Sequence, residues 1–335
     1  MPAARTAFRA VSTLVLSAGL LSACGEDDDK LVIYNAQHEE LVDEVVEAFT
    51  EETGIEVEMR NGSDLELANQ LVAEGTASKA DVFLTENSPA MSLVQSEDLF
   101  TTLGEGAQGN IPEQYRPDDD SWTGFAARST VFVYNTDSVQ ADDLPSSLME
   151  LADPEWEGRI SFSPTGADFQ AIVAAVLALE GEDATAEWLA GLKRNGTVYD
   201  GNNVVLESVD AGEVDAGVIY HYYWYRDQEE AGDNSDSSEL HFFGNQDPGA
   251  FLSISGAGVL KNGEHTEDAQ EFVEFLTGPE GQEIVSESYA LEYPLNPDVD
   301  IRSVPPLADL EVPDLDVSEL DSERVFDLMQ EAGLL

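Results

Sequence analysis

The chain is short of positive charge. Its 335 residues hold 14 Lys and Arg, four of them Lys, against 69 Asp and Glu. Phosphate would be repelled, so nucleic acid is excluded as a partner. Cysteine is almost absent: Cys24 is the only one, which leaves no internal disulfide and no thiol chemistry in the body of the fold. Gly-x-Ser-x-Gly, His-Glu-x-x-His and the Walker-type glycine loop are missing, and the four histidines are scattered. These absences argue against an enzyme. After the first 23 residues no run is apolar enough to cross a bilayer. What is present is a hydrophobic content of 42%, which belongs to a folded protein, and a length that suits two lobes.

Residues 1–23 read as a targeting segment. Arg5 and Arg9 precede a short apolar run, Val11 to Ala23, that is too short for a stable span. It ends in Leu21-Ser22-Ala23-Cys24, which resembles the bacterial lipobox. The resemblance implies that Cys24 is lipidated as the first residue of the mature chain. Residues 24–30 then form a charged tether, and the protein is held outside the membrane by a lipid anchor only. Removing residues 1–23 takes away two Arg and no acid, leaving 12 basic against 69 acidic residues, or −57. The acids are spread along the whole chain. That pattern fits a surface adapted to high salt, where screening removes most self-repulsion.

Leu31 to Asn35 reads as a strand, Glu39 to Glu52 as a helix, Ile55 to Met59 as a strand, Leu65 to Glu74 as a helix and Ala80 to Leu84 as a strand. This β-α-β-α-β order predicts a parallel sheet covered by helices. A second unit is expected to begin with a strand at Ser129 to Asn135. It continues through a strand at Ile160 to Ser163 and helices at Phe169 to Leu179 and Ala184 to Arg194. A strand at Ala216 to Tyr220 then leads into an aromatic cluster. Gly232 to Glu239 reads as a polar loop, Ser253 to Leu260 as a strand, Glu267 to Leu276 and Asp321 to Ala332 as helices.

In such sheets ligands collect beyond the carboxyl ends of the strands. His38, Glu86 and the pair Tyr222-Tyr223 all fall at such ends. Neighbours in a strand point to opposite faces. If the strand stops at Tyr220 and the chain turns or enters a helix, the two phenols diverge by only about 100° and converge on one point. Phenolates, carboxylates and imidazole suit a hard, highly charged cation, and no soft thiolate is available. Read alone, the aromatic run suits packing between lobes, His38 an exposed loop, and Glu86 a carboxylate at a helix start.

Several short motifs occur in order: Tyr34-Asn35-Ala36-Gln37-His38, Ala80-Asp81-Val82-Phe83 with Glu86 and Pro89-Ala90, Tyr222-Tyr223-Trp224, Asp247-Pro248-Gly249-Ala250, Gly278-Pro279-Glu280-Gly281 and Tyr293-Pro294-Leu295-Asn296-Pro297. From Leu31 to the C-terminus they resemble the bacterial ferric-ion-binding proteins. These are the substrate-binding components of iron ABC transporters and belong to the transferrin-like periplasmic binding proteins. The resemblance implies an α/β, two-lobed type 2 periplasmic-binding-protein fold. Each lobe is a mixed, mostly parallel sheet with flanking helices, and a hinged cleft lies between them. Residues 31–128 and 248–297 form the first lobe, and 129–247 and 298–335 the second. Hinges are expected near Ala127-Arg128-Ser129 and Asp247-Pro248-Gly249-Ala250.

The resemblance further implies that His38, Glu86, Tyr222 and Tyr223 bind Fe(III), possession of an ABC permease partner, and a monomer. Members also bind a synergistic anion, phosphate or carbonate. Asn202 matches an anion-contacting Asn. Asn87 stands where some members have Gln. Gly166, followed by Ala167, stands where phosphate-binding members have Ser, though its backbone N–H can still donate. Tyr220 stands where they have Asn and would fill part of the anion's space. Arg128 either offsets the anion's charge or pairs on the acidic surface. The other reading is the same fold carrying a phosphonate, a polyamine or a thiamine-like cation, since aromatic clusters stack on organic cations. His38 and Glu86 favour the metal.

Overall fold

The computed structural model describes residues 30–230, 232–301, 304–317 and 320–335. Cys24, the targeting segment and all of the tether but Lys30 lie outside them. Among the described residues no helix is long and apolar enough to cross a membrane.

The chain opens with the expected alternation: β1 (Leu31–Asn35), α1 (Glu39–Thr53), β2 (Val57–Asn61), α2 (Asp64–Glu74) and β3 (Val82–Leu84). Leu41, Val42, Val45 and Phe49 recur at helical spacing and form the buried face of α1, which stops at Gly54 in the left-handed region (φ 78°). β1 lies between β2 and β3, parallel to both. α3 (Ser88–Ser96) and the short α4 (Glu105–Asn110) follow, and then β4 (Thr123–Asn135).

β4 is longer than the sequence pattern predicts. The expected strand began at Ser129, but thirteen residues form one element, all buried. Thr123-Gly124-Phe125-Ala126-Ala127-Arg128 lacks apolar alternation because neighbours cover both of its faces. Residues from Thr123 to Ser129 pair with β9 (Leu252–Val259), and those from Thr130 to Tyr134 pair with β7 (Ala216–Tyr220), both antiparallel. Ser129 faces Leu252, and the next residue, Thr130, faces Tyr220. The two lobes therefore share a strand.

The second lobe holds β5 (Ile160–Phe162), α5 (Ala167–Glu180), α6 (Glu182–Asn195), β6 (Gly196–Val198) and α7 (Asn202–Asp210), then β7 and α8 (His221–Glu230). β5 is parallel to both β6 and β7. β8 (Ser238–His241) pairs with the end of β4, so part of the expected polar loop is a strand. The sheet runs β2-β1-β3-β9-β4-β7-β5-β6, with β8 and β10 (Tyr293–Pro294) also on β4. Between β8 and β9, Pro248–Ala250 makes one 3-10 turn. A Cβ on Gly249 would come within 2.4 Å of the Phe243 ring, so only glycine lets the chain pass there.

α9 (Thr266–Thr277) and α10 (Pro279–Glu287) pack on the first lobe, with Phe272, Val273, Leu276 and Val285 in one core alongside Leu31, Val82 and Phe125. The acidic tail divides. Val304 and Val317 join a core with Tyr34, Leu67 and Phe83. Leu320, α11 (Ser322–Glu331) through Val325, Leu328 and Met329, and then Leu334 join the second lobe's core with Ile172 and Trp188, and Leu315 packs against that core. Ile301, Val304, Leu307, Leu310, Val312 and Val317, which lie past the expected crossing at Asp298, share a cluster with Tyr115 and Tyr293 of the first lobe.

Candidate metal centre

Each lobe presents two neighbouring parallel strands whose carboxyl ends face the cleft. β1 ends at Asn35, and Asn35 Nδ2 donates to the Gln37 carbonyl (3.1 Å), fixing the turn that makes His38 the cap of α1. β3 ends at Leu84, and Glu86 follows just before α3. In the other lobe β5 leads through residues 163–166 to α5. β7 stops at Tyr220, and α8 begins at His221 without a linking loop. That abrupt switch puts Tyr222 and Tyr223 in the first turn of a helix, one of the two continuations the sequence allowed. Their rings stack at 4.2 Å, with 29° between planes.

The four expected ligands gather. His38 meets Tyr222 edge to face, with ring centroids 5.7 Å apart. His38 Nε2 is 3.7 Å from Glu86 Oε1, and the Tyr222 hydroxyl donates to that same oxygen (3.5 Å). Tyr222 is 1% exposed. Burial, and next the Asp168 charge, push its hydroxyl well above the usual phenol range; Tyr223 is raised by the same two causes. Such phenols ionise only for a partner of high positive charge. Among the described residues no three His, Cys, Asp or Glu side chains gather tightly enough to hold a metal by themselves.

Two acids went unnoticed in the sequence. Asp168, in the first turn of α5, accepts from the Tyr223 hydroxyl (3.0 Å) and from Asn202 Nδ2 (2.8 Å), both at Oδ2. Burial, then the Glu86 charge, raises its carboxyl to about 7. Glu292, fully buried just before β10, stands 3.5 Å from His38 Nε2. It accepts from Gln37 Nε2 (3.2 Å) and from the Ser255 hydroxyl (3.1 Å). His38 Nε2, Glu292 Oε1 and Arg128 Nε are all buried with no hydrogen-bond partner. Three unspent polar atoms at one place mark a point built for something further.

Arg128 is not a surface residue. It is fully buried on β4 and pairs with Glu86 through Nη1, with Nε 4.0 Å from Glu292 Oε2. Burial pushes Glu86 up, and the guanidinium offsets part of that rise.

The residues considered for an anion are largely engaged with one another. Asn202 is bonded to Asp168. Asn87 donates to Asp64 Oδ2 (2.9 Å) and accepts from the Ser253 hydroxyl (2.7 Å). Tyr220, fully buried, donates to the Asp168 carbonyl (3.1 Å). Gly166 caps α5 in extended backbone, and Ala167 begins it.

Comparison with known proteins agrees with this architecture. Residues 77–319 match the family of bacterial extracellular solute-binding proteins. The Fe(3+)-binding periplasmic protein of Serratia marcescens is 52% identical over 327 residues, which cover 97% of this chain and 96% of the relative. The major ferric iron-binding protein of Neisseria meningitidis is 36% identical, over 96% and 97% of the two chains. The structure of iron-bound HitA from Pseudomonas aeruginosa superposes with a TM-score of 0.84 at 39% identity, covering 91% of this chain and 99% of the other. The fold is the two-lobed one those proteins share.

Proposed function

The chain belongs to the bacterial extracellular solute-binding proteins, and we propose that it captures ferric iron in its interlobe cleft and delivers it to an ABC permease. The observation that carries this reading is the pairing of phenols with carboxylates. Tyr222 from the second lobe reaches Glu86 of the first, and Tyr223 reaches Asp168. Ferric iron would displace the phenol protons and draw both tyrosinates, Glu86 and His38 onto one ion. An enzyme would need a reacting group beyond this set; a carrier needs only to hold and release.

Asp168 takes the role that a synergistic anion has in other members. Its carboxylate already occupies Asn202, the donor expected to hold such an anion, and sits near the positive end of α5. Two phenolates and two carboxylates then face the three charges of the ion, and Arg128 offsets the excess. Asn87, Gly166, Ala167 and Tyr220 shape and hold this corner and take no free phosphate or carbonate.

The first lobe comprises residues 31–129 with the chain from about 251 to 317, and the second comprises 130–250 with residues from Leu320 onward. They close by bending where β4 changes neighbours and at the Pro248–Ala250 turn. The protein works as a monomer outside the membrane, anchored through a lipid on Cys24.

The test is the visible spectrum on adding Fe(III). Tyrosinate-to-iron charge transfer is expected in the unaltered protein and absent from the Tyr222→Phe/Tyr223→Phe double variant. A double variant that still binds and still colours would overturn the assignment.

A further inference from the structure

Among the described cations, Arg226 meets the most aromatic rings. In a chain with 69 acids, the basic groups of Lys30, Lys79, Arg116, Arg128, Arg159, Lys261 and Arg324 all have a carboxylate within 4.0 Å. Arg226, like Arg60, Lys193 and Arg194, has no carboxylate within 4.0 Å among the described residues, and what distinguishes it is the number of rings it meets. Its guanidinium lies instead over three tyrosine rings: 5.3 Å from the centre of Tyr222, 5.6 Å from Tyr223 and 6.0 Å from Tyr289. Helix periodicity explains the first two. Arg226 is four residues after Tyr222 and three after Tyr223 on α8, which puts all three side chains on one face.

The third ring comes from elsewhere. Tyr289 follows α10, in the segment that leads to Glu292 and β10, and it lies 6.0 Å from the His38 ring. It is 37% exposed. Arg226 and Tyr289 together line an open groove of about 390 Å³ beside Tyr223, whose rim carries Glu40, Glu207, Asp227 and Glu230. A guanidinium kept from so many nearby acids and laid on ring faces is placed for the rings.

We propose that Arg226 is a positioning residue of the iron site that acts in two ways. Its charge, held against the faces of the two phenol ligands, stabilises the negative charge they carry when bound to iron. Its contact with Tyr289 ties α8 to the opposite side of the cleft, so that Arg226 and Tyr289 form a latch over the ligands and slow the departure of the ion. The proposal rests on the ferric-iron reading above.

A cation beside a phenolate lowers the energy of the electrons that move in tyrosinate-to-iron charge transfer. Its removal therefore moves the band to longer wavelength. The experiment uses the full-chain protein loaded with Fe(III), with the visible band and the rate of iron transfer to excess EDTA as its two readings. Arg226→Gln is expected to shift the band to longer wavelength and to speed release by tenfold or more. Arg226→Lys restores most of the band position. Tyr289→Ala speeds release and leaves the band where it was, because it breaks the latch and keeps the charge. An Arg226→Gln protein with the unaltered band would overturn the proposal even if release were faster, since a merely structural arginine would also loosen the cleft. Release at the original rate from both Arg226→Gln and Tyr289→Ala would overturn the latch. If the unaltered protein shows no band with Fe(III), the ferric reading itself fails, and that outcome is distinct from the other two.

Discussion

Arg128 and Glu86 form an ion pair in the floor of the cleft, with the guanidinium fully buried and the carboxylate 21% exposed. The pair joins the strand shared by both lobes to the loop that carries a candidate ligand. Removing one partner of such a pair leaves a charge without compensation. Arg128→Leu is therefore expected to destabilise the apo protein by about 3–5 kcal/mol, read from urea unfolding. Glu292, which also faces Arg128, adds to the loss, so a second substitution, Glu292→Gln, should recover part of it. A loss under about 1 kcal/mol for Arg128→Leu would contradict the pairing.

Asp168→Asn tests the internal anion. The variant keeps a side chain that can bond to Tyr223 but lacks the charge. Iron affinity is expected to fall by a factor of about a hundred or more, equivalent to about 3 kcal/mol. Added phosphate or carbonate should restore part of it in the variant and change nothing in the unaltered protein. Titration against a competing chelator, with and without the anion, makes the comparison. Strong anion dependence of the unaltered protein would refute the role given to Asp168.

Iron binding should weaken as pH falls. The Asp168 carboxyl is raised to about 7, and both phenols are raised. Each must give up its proton to the solvent as the ion enters, so binding releases protons and acid opposes it. Affinity is expected to climb between about pH 6 and 8. Proton release into a weakly buffered solution, followed with an indicator dye, checks the sign directly.

His221 sets a pH dependence of stability with the same direction but a separate cause. Its Nδ1 accepts from the Ser129 N–H (3.1 Å), and its Nε2 lies 3.0 Å from the Leu291 carbonyl, so the buried ring is neutral. Burial lowers it to about 3 from an ordinary 6.5. The unfolded chain takes up a proton below 6.5 and the folded one does not. Stability from this group is complete above 6.5 and is lost as pH falls from there towards 3. In His221→Gln the slope of Tm against pH over that window should flatten, even though the variant is less stable at pH 7.

Salt is expected to stabilise. The mature chain carries about six acids for every base, and raising KCl from 0.1 M to 2 M shortens the screening length from about 10 Å to below 3 Å. A gain of about 2 kcal/mol, seen as a rise of about 5 °C in Tm, is expected. An unchanged Tm would remove salt adaptation as the reason for the composition.

Much of this was legible before any coordinates. That His38, Glu86 and the tyrosine pair lie together could be expected because each follows the end of a strand, and strand ends face the cleft. That the strand must stop at Tyr220 could be inferred from the phenols themselves, which can share a ligand only if the chain turns or enters a helix there. Asp168 could not be picked out, because one acid among so many carries no contrast, and the Gly166-Ala167 pair before it read as a backbone anion site. Glu292 was hidden for the same reason beside Tyr293-Pro294. The reach of β4 was missed because a strand covered on both faces need not alternate. The tail's late crossing was unreadable because sparse apolar residues in an acidic stretch do not say which core they will enter.

The change of neighbours between Ser129 and Thr130 has a mechanical meaning. A loose linker would let two bodies wander through many relative orientations, and each excursion would lengthen the search for the closed form. Here the connection is a hydrogen-bonded ribbon, stiff along its length and compliant chiefly to twist. In the closure proposed above, movement would thereby be confined to something near a single coordinate, like a door on a pin. The donors on the two rims are then carried back to the same registration each time the protein shuts.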